Sequence, residues 1–113
     1  MITQRSILLV PFPFSDQSGK KVRPVCVVSS THYNKNSQDL LVAGITSNIS
    51  KDQYTTLLDP NDLEEGTLHT TCCIKVENIL KIDKDLVIKP IGKINKQKLR
   101  DVHDILTHIL RPD

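Results

Sequence analysis

Residues 95–110, at the end of the chain, read NKQKLRDVHDILTHIL and have a pattern that the preceding residues lack. The apolar residues in this stretch are Leu99, Val102, Ile105, Leu106, Ile109 and Leu110. They recur at the three- and four-residue spacing of one helix face. Asn95 can cap the first turn, and Arg111 and Pro112 end the pattern. The sequence therefore predicts one amphipathic helix at the C-terminal end.

The residues before this helix are typical of short β-strands. Runs rich in β-branched and other apolar residues, bounded by turn-forming residues, lie at 7–12, 22–29, 40–46, 54–58, 67–76 and 86–94. Pro24 removes a ladder donor, so the start of the second run is expected at an edge or bulge. A polar loop is expected over 32–39, and one helical turn or a wide loop over 59–66. Five or six strands must close their edges, which favours a mainly β fold: a small, strongly bent antiparallel sheet or barrel with the helix against it.

Size and charge limit the possible functions. The chain has 113 residues, which predicts a single domain over 1–113. Fifteen Lys and Arg face 13 Asp and Glu, a formal net charge of +2. This balance excludes a histone-like polycation but leaves room for a local basic groove. The sequence has neither an apolar run of the ~20 residues that span a bilayer nor an N-terminal secretory pattern, so we expect a cytoplasmic protein that does not enter membranes.

The cysteines and histidines do not predict a metal site or a disulfide framework. Three cysteines are an odd number, and the adjacent Cys72 and Cys73 would point to opposite faces of a strand. We therefore expect them to be packing residues. His103 and His108 are separated by about 140° around a helix, so they do not form a paired metal face.

Generic catalytic motifs are also missing from the sequence, but a distributed set of segments is informative. The segments are VPFPFSD at 10–16, GKKVRPVCVVS at 19–29, AGITS at 43–47, IKVENI at 74–79 and IGKI at 91–94. In this order and at these separations, the set resembles the MazF/PemK family of bacterial toxins. The resemblance covers about residues 7–110, and its most specific part is the proline–phenylalanine run, the polar loop and Arg-Pro before an apolar strand.

The resemblance implies both a fold and an activity. The implied fold is an SH3-like or CcdB/PemK-type small barrel, usually a homodimer that is neutralised by a cognate antitoxin. The implied activity is metal-independent, sequence-selective cleavage of single-stranded RNA, with no cofactor. Two subunits would line one groove with basic loops from both chains, where a modest net charge can still be locally strong for RNA phosphates.

Two residues are the main catalytic candidates. Cleavage of RNA through its own 2′-hydroxyl requires removal of that proton, stabilisation of the phosphorane charge and delivery of a proton to the leaving 5′-oxygen. Arg23 suits the second task because guanidinium is planar, charged and can bind two phosphate oxygens; alternatively, it is a surface arginine beside a strand proline. The resemblance makes Thr46 the family's catalytic threonine; alternatively, its hydroxyl caps the following loop.

Five further residues are candidates for the same site. Lys75 and Glu77 are two residues apart on a strand and so face one side. There, the carboxylate (a third catalytic candidate) can accept a proton or orient a base and the lysine can bind phosphate, or the two can form a solvent-facing ion pair. Lys20 and Lys21 are predicted to bind RNA as a basic flap, or to be a solvated charge run. His69 is a further RNA-binding candidate that could act as an acid or base, although a lone histidine there is also compatible with a structural role.

Two segments differ from the resembling family. The family commonly begins its first strand with Gly-Asp, where this chain has Arg5 and Ser6, and it often has a Lys-Pro-Ser-like stretch where this chain has HTT at 69–71. Both changes bear on strand pairing and RNA contacts more than on the fold. These changes leave a catalytically weakened toxin relative as one alternative. A CcdB-like poison of DNA gyrase that acts by protein contact is a second alternative, because the same barrel family includes such proteins and fold alone does not decide function.

Overall fold

The computed structural model describes residues 2–11 and 22–113, which contain seven β-strands and two α-helices. The strands are β1 Ser6–Pro11, β2 Val22–Val27, β3 Asp39–Thr46, β4 Thr55–Leu58, β5 Leu63–Gly66, β6 Cys72–Asp83 and β7 Lys89–Ile94. The helices are α1 Thr31–Lys35 and α2 Lys96–Ile109. Short 3₁₀ turns at Pro60–Asp62 and Lys84–Leu86 precede β5 and β7.

The described strands form one curled antiparallel sheet in the order β4-β6-β3-β2-β1-β7-β5. Hairpin neighbours β1, β2 and β3 lie side by side in the middle, and β4 and β5 form the two edges. The chain crosses from one edge to the other through the turn at Pro60–Asp62. This half-barrel with a C-terminal helix confirms the predicted mainly β fold.

Both faces of the sheet bury apolar side chains. One face holds Ile7, Cys26, Ala43, Ile45, Leu58, Cys72, Ile74, Val76 and Ile94 together with Val102 of α2. The other face holds Leu8, Val10, Val25, Val27, Leu40, Val42 and Ile82. Neighbouring residues of a strand point to opposite faces of the sheet. Ile7 and Leu8 of β1 therefore belong to different clusters, as do Ala43 and Val42 of β3. Strands that are buried on both faces in this way have unbroken apolar runs.

Helix α2 has the predicted extent and cap. The Asn95 side chain accepts a hydrogen bond from the Lys98 backbone N–H at 2.8 Å. The Lys98 ammonium donates to Thr56 Oγ1 at 3.1 Å on edge strand β4 and lies 3.8 Å from the Asp62 carboxylate. Val102 is 1% exposed against the sheet. The cap, the apolar stripe and Lys98 together fix α2 against one face of the sheet.

Three local expectations need correction. Residues 59–66 contain a 3₁₀ turn and then strand β5, whose backbone pairs with β7; the turn signals at Pro60 hid this edge strand. Residues 31–35 form helix α1 within the expected polar loop, with the Ser30 hydroxyl accepting from the Tyr33 N–H. Strand β6 extends seven residues beyond the predicted end at Val76, because apolar residues continue on the far side of a bulge.

The cysteines are packing residues, as predicted. Cys26, Cys72 and Cys73 are all buried and free. Burial raises the pKa of the Cys26 thiol to about 12. Within the part of the chain that the structure describes, neither helix has the length and apolar character needed to cross a membrane.

Candidate active site

Strand pairing brings Arg23 and Thr46 together. Strands β2 and β3 pair Val27 with Val42, Cys26 with Ala43 and Val25 with Gly44. The paired ladder ends at Val25, next to Pro24, which has no N–H to donate. Arg23 and Thr46 each lie two residues beyond this last pair of Val25 with Gly44. The two side chains therefore lie at the same end of adjacent strands, just beyond the last paired residues.

A bulge in β6 supplies the opposite wall. Gly44 pairs with Lys75, but the preceding Ala43 pairs with Ile79, so residues 76–78 have no counterpart on β3. Val76 stays buried, whereas Glu77 and Asn78 are exposed. A bulge bends its strand and re-aims the side chains it carries. Here it turns the centre of β6 towards the ends of β2 and β3.

Strands β1, β2, β3 and β6 and the loop after β3 line a groove of about 460 Å³, hereafter the Arg23 groove. Its lining consists of Val10, Arg23, Pro24, Val25, Gly44, Ile45, Thr46, Asn48, Lys75, Glu77, Asn78, Ile79, Leu80 and Ile82. Four predicted residues, Arg23, Thr46, Lys75 and Glu77, thus share one concave surface. The polar groups converge above an apolar base, an arrangement that is typical of ligand sites.

The Thr46 hydroxyl caps the following loop, which is one of the two roles predicted for it. Thr46 Oγ1 accepts a hydrogen bond from the Asn48 N–H at 3.1 Å. Accepting this bond uses a lone pair and leaves the hydroxyl hydrogen for donation. The bond therefore fixes the oxygen at the strand end while its proton can still be offered to a ligand in the groove.

The loop after Thr46 adds an acidic group beside Lys75. The Asp52 carboxylate accepts from the Ser50 hydroxyl at 2.8 Å and from the Tyr54 N–H at 2.9 Å. These two bonds, the first having the larger effect, and the nearby Lys75 charge hold the Asp52 pKa below its usual value. The turn made by these bonds thus keeps Asp52 ionised near Lys75, although Asp52 itself is not part of the lining of the Arg23 groove.

Of the remaining predicted residues, one is described by the structure and is not in this lining. His69 is exposed on the segment between β5 and β6, away from the Arg23 groove. Lys20 and Lys21 lie outside the described residues, so their RNA-binding role stays a prediction. Among residues 2–11 and 22–113, no cluster of three or more His, Cys, Asp or Glu side chains could hold a metal ion.

Sequence reasoning missed two groove residues, Asn48 and Asn78. Asn78 follows Glu77 inside the bulge, and Asn48 is fixed by its backbone bond to Thr46. Amide side chains both donate and accept, which suits them to base edges. The sequence signals were that Asn78 lies inside the IKVENI segment and that Asn48 directly follows the AGITS segment.

The curled sheet and its polar groove define a small half-barrel protein with a candidate nucleic-acid site. The model of the family described as "PemK-like, MazF-like toxin of type II toxin-antitoxin system" matches residues 3–110. The chain therefore belongs to the PemK/MazF-like toxin family. A search of curated proteins found no match.

Solved structures of similar fold are distant in sequence. A mycobacterial endoribonuclease in complex with its cognate antitoxin is 15% identical with a TM-score of 0.81, the alignment covering 100% of this chain and 99% of that one. MazF of a MazE–MazF crystal structure from Deinococcus radiodurans is 16% identical, TM-score 0.80, covering 99% and 98%. Mycobacterium tuberculosis toxin MazF-mt6 is 16% identical, TM-score 0.77, covering 96% and 99%. At these identities, the likeness establishes the fold.

Proposed function

We propose that this protein is an endoribonuclease toxin that cleaves single-stranded RNA without a metal ion. The 2′-hydroxyl of the RNA attacks the adjacent phosphorus, the bond to the 5′-oxygen breaks, and the products carry a 2′,3′-cyclic phosphate and a 5′-hydroxyl. The nucleophile is part of the substrate, so the protein has only to move protons and stabilise charge. The observation that carries the proposal is the convergence of Arg23, Thr46, Lys75 and Glu77 on one groove.

Arg23 is assigned to the developing negative charge. Its guanidinium stays ionised at all relevant pH values and can bind two phosphate oxygens at once. Because Arg23 and Thr46 line the same groove, one phosphate can meet both side chains. Thr46 donates its hydroxyl hydrogen to a phosphate oxygen, held in position by the bond from the Asn48 N–H.

Glu77 and Lys75 are assigned to proton transfer and to RNA positioning. Glu77 is exposed on the bulge and can accept the 2′-hydroxyl proton or orient a base, while solvent water supplies the proton that the leaving 5′-oxygen takes up. Lys75 is half-buried and can bind a phosphate beside the scissile one. With two cations and one carboxylate in the lining, the described part of the groove attracts an anionic backbone.

We infer that the toxin works as a cytoplasmic homodimer that a cognate antitoxin neutralises. The family consists of toxins of type II toxin-antitoxin systems, and two of the similar solved structures are a complex with a cognate antitoxin and a MazE–MazF structure, which supports an antitoxin partner. A disordered antitoxin tail that folds onto the Arg23 groove would exclude RNA directly.

The test uses purified full-length protein and a pool of single-stranded RNA oligonucleotides, with and without a chelator. We expect cleavage that persists in the chelator, and end mapping that gives the cyclic phosphate and the 5′-hydroxyl. Arg23→Ala should lower turnover about 10²- to 10³-fold, the usual effect of removing one group that stabilises transition-state charge. Lys35→Ala on α1 is the matched control, since Lys35 is an exposed cation outside the groove lining.

Several results would overturn the proposal. Intact RNA together with a stalled gyrase reaction would point to the gyrase-poison alternative. Cleavage that needs a divalent metal would contradict the proposed mechanism. Wild-type turnover in Arg23→Ala, with circular dichroism unchanged, would remove Arg23 from the reaction.

A further inference from the structure

An apolar pocket of about 130 Å³ lies on the face of the sheet against which α2 packs, hereafter the Leu68 pocket. Its base is formed by Ile7, Ile45, Leu58 and Cys72, which are buried on four different strands. Leu68, on the segment that joins β5 to β6, packs against the same apolar cluster. The nuclease proposal gives this pocket no role.

The pocket has a buried base and an exposed rim. Thr67 and Ile91, which also line it, are exposed, Ile91 by 38%. Leu63 and Leu68 are partly buried. A small molecule can therefore reach the base past the rim while the sheet stays folded.

The segment that carries Leu68 is fixed at both ends. Gly66, with a φ of 87°, lies so close to β7 that a Cβ at this position would overlap the Ile91 carbonyl oxygen. Only glycine allows this approach, which places Thr67 and Ile91 at one rim. At the other end, the Thr71 hydroxyl donates to the Asp59 carboxylate at 2.8 Å. The rim is held by the protein's own contacts, which lowers the cost of binding a ligand.

The lining selects an uncharged ligand. Eight of its ten described residues are aliphatic or proline, and the other two are Thr67 and Cys72. The Cys72 thiol already donates to the Thr70 carbonyl at 3.5 Å. A charged group would lose its hydration here without gaining a partner from the described lining. An apolar molecule, by contrast, is stabilised by leaving water.

The volume of the pocket limits the ligand to one ring. A dry cavity of about 150 Å³ lined by leucine, isoleucine and phenylalanine binds benzene. At about 130 Å³, the Leu68 pocket has room for a six-membered aromatic ring but not for a second fused ring below the rim. The edge of such a ring can also contact the sulfur of Cys72, and sulfur–aromatic contacts are favourable.

We propose that the Leu68 pocket binds a small molecule through one uncharged aromatic ring, which packs on Ile45 and Leu68. An aromatic side chain of a peptide fits less well. The peptide groups beside it would lie against the apolar rim at Leu63 and Ile91, where the described lining has no charged or amide side chain to pair with them.

The bound ring would contact the strands that carry the catalytic candidates. Pro24 and Ile45 line both the Leu68 pocket and the Arg23 groove. They are the chain neighbours of Arg23 and Thr46, and neighbouring strand residues point to opposite faces. The pocket thus gives a small molecule access to the ends of β2 and β3 without entry into the groove. This inference does not depend on the nuclease activity.

The experiment records methyl NMR spectra of the full chain, labelled at isoleucine and leucine, during titration with benzene. We expect saturable ring-current shifts at Ile45, Leu68 and Ile91, and none at Leu57 and Leu86, which are exposed outside the lining. N-methylpyridinium, a ring of similar size that carries a charge, should cause no saturable shift. The capped peptide acetyl-Ala-Phe-Ala-amide should bind more weakly than benzene.

Three variants sharpen the test. Thr67→Phe places a ring at the rim and should abolish the benzene shifts. Thr70→Phe is the matched control, because Thr70 is exposed on the same segment but outside the lining, and it should bind benzene like the wild type. Leu68→Ala enlarges the pocket and should bind indole about tenfold more tightly than the wild type does.

Several outcomes would overturn the proposal. These are benzene shifts that do not saturate, benzene binding in a folded Thr67→Phe protein that equals the wild type, and equal indole binding by the wild type and Leu68→Ala. If Thr67→Phe does not fold, the indole comparison decides. Peptide binding as tight as that of benzene would assign the pocket to a protein partner instead. Because these measurements do not use RNA, a failure of the nuclease proposal leaves their result unchanged.

Discussion

Gly44 on β3 pairs with Lys75 on β6, but the residue before it, Ala43, pairs with Ile79, four positions further along. The bulge residues between them include Asn78, whose Cβ would lie 3.8 Å from a Cβ built on Gly44. A methyl group at position 44 therefore meets ordinary van der Waals contact. A longer side chain there would enter the Arg23 groove.

Substitutions at Gly44 should separate folding from groove access. Gly44→Ala is expected to fold with a free energy of unfolding within about 1 kcal/mol of the wild type, because the added methyl group fits. Gly44→Leu should keep the fold but lose most RNA binding, since its branched end fills the groove. Urea unfolding measures stability, and anisotropy with a non-cleavable RNA measures access. Unchanged RNA affinity in a folded Gly44→Leu protein would show that RNA does not enter this groove.

Thr46 has a structural and a proposed catalytic role that substitution can separate. Thr46→Val removes both the bond accepted from the Asn48 N–H and the donor to phosphate, so stability should fall by about 1 kcal/mol and kcat by about 10²-fold or more. Thr46→Ser retains the hydroxyl and should preserve most activity. Single-turnover kinetics and urea unfolding provide the two readouts. If Thr46→Val is less stable but cleaves at the wild-type rate, the hydroxyl only caps the loop.

Six of the seven described strands, α2 and its Asn95 cap could be predicted because each depends on local spacing, whereas edge strand β5 was hidden by the turn signals at Pro60. The three-residue bulge in β6 could not, since an insertion of residues 76–78 is defined only by the partner strand β3. The same dependence hid Asn78, while Asn48 reaches the groove only through the folded position of the loop after Thr46. Arg23 and Thr46 were predicted through the family resemblance, whereas their convergence on one groove depends on the pairing of β2 with β3.

Burial of Cys26 predicts a loss of stability at alkaline pH. Its folded pKa is raised from 9.0 to about 12 by desolvation. Between these values, the unfolded chain has lost the thiol proton that the folded chain retains, so the free energy of unfolding falls as pH rises. Cys26→Ala removes this contribution and should show a shallower fall over that range in urea unfolding. Parallel slopes for the two proteins would contradict the prediction, as would alkylation of Cys26 by iodoacetamide without unfolding.

At position 5, a glycine variant should be more stable than an alanine variant, which is the reverse of the usual order of stability. Its φ of 81° lies in the left-handed region, which a non-glycine residue occupies at a cost of about 1 kcal/mol or more. The family that this sequence resembles commonly has glycine at this position. The surrounding bonds fix this backbone: the Arg5 N–H donates to the Val27 carbonyl at 2.9 Å, and the guanidinium donates to the Ile94 carbonyl and to Glu64, each at 3.0 Å.

Arg5→Ala and Arg5→Gly lose the same side-chain bonds, so any difference between them reports on the backbone. Arg5→Ala keeps the strained φ and should be the less stable variant, by about 1 kcal/mol in urea unfolding. Glu64→Ala, which removes only the exposed ion pair, should cost less than either. If Arg5→Ala is as stable as Arg5→Gly or more so, the backbone at residue 5 does not hold its left-handed conformation in solution.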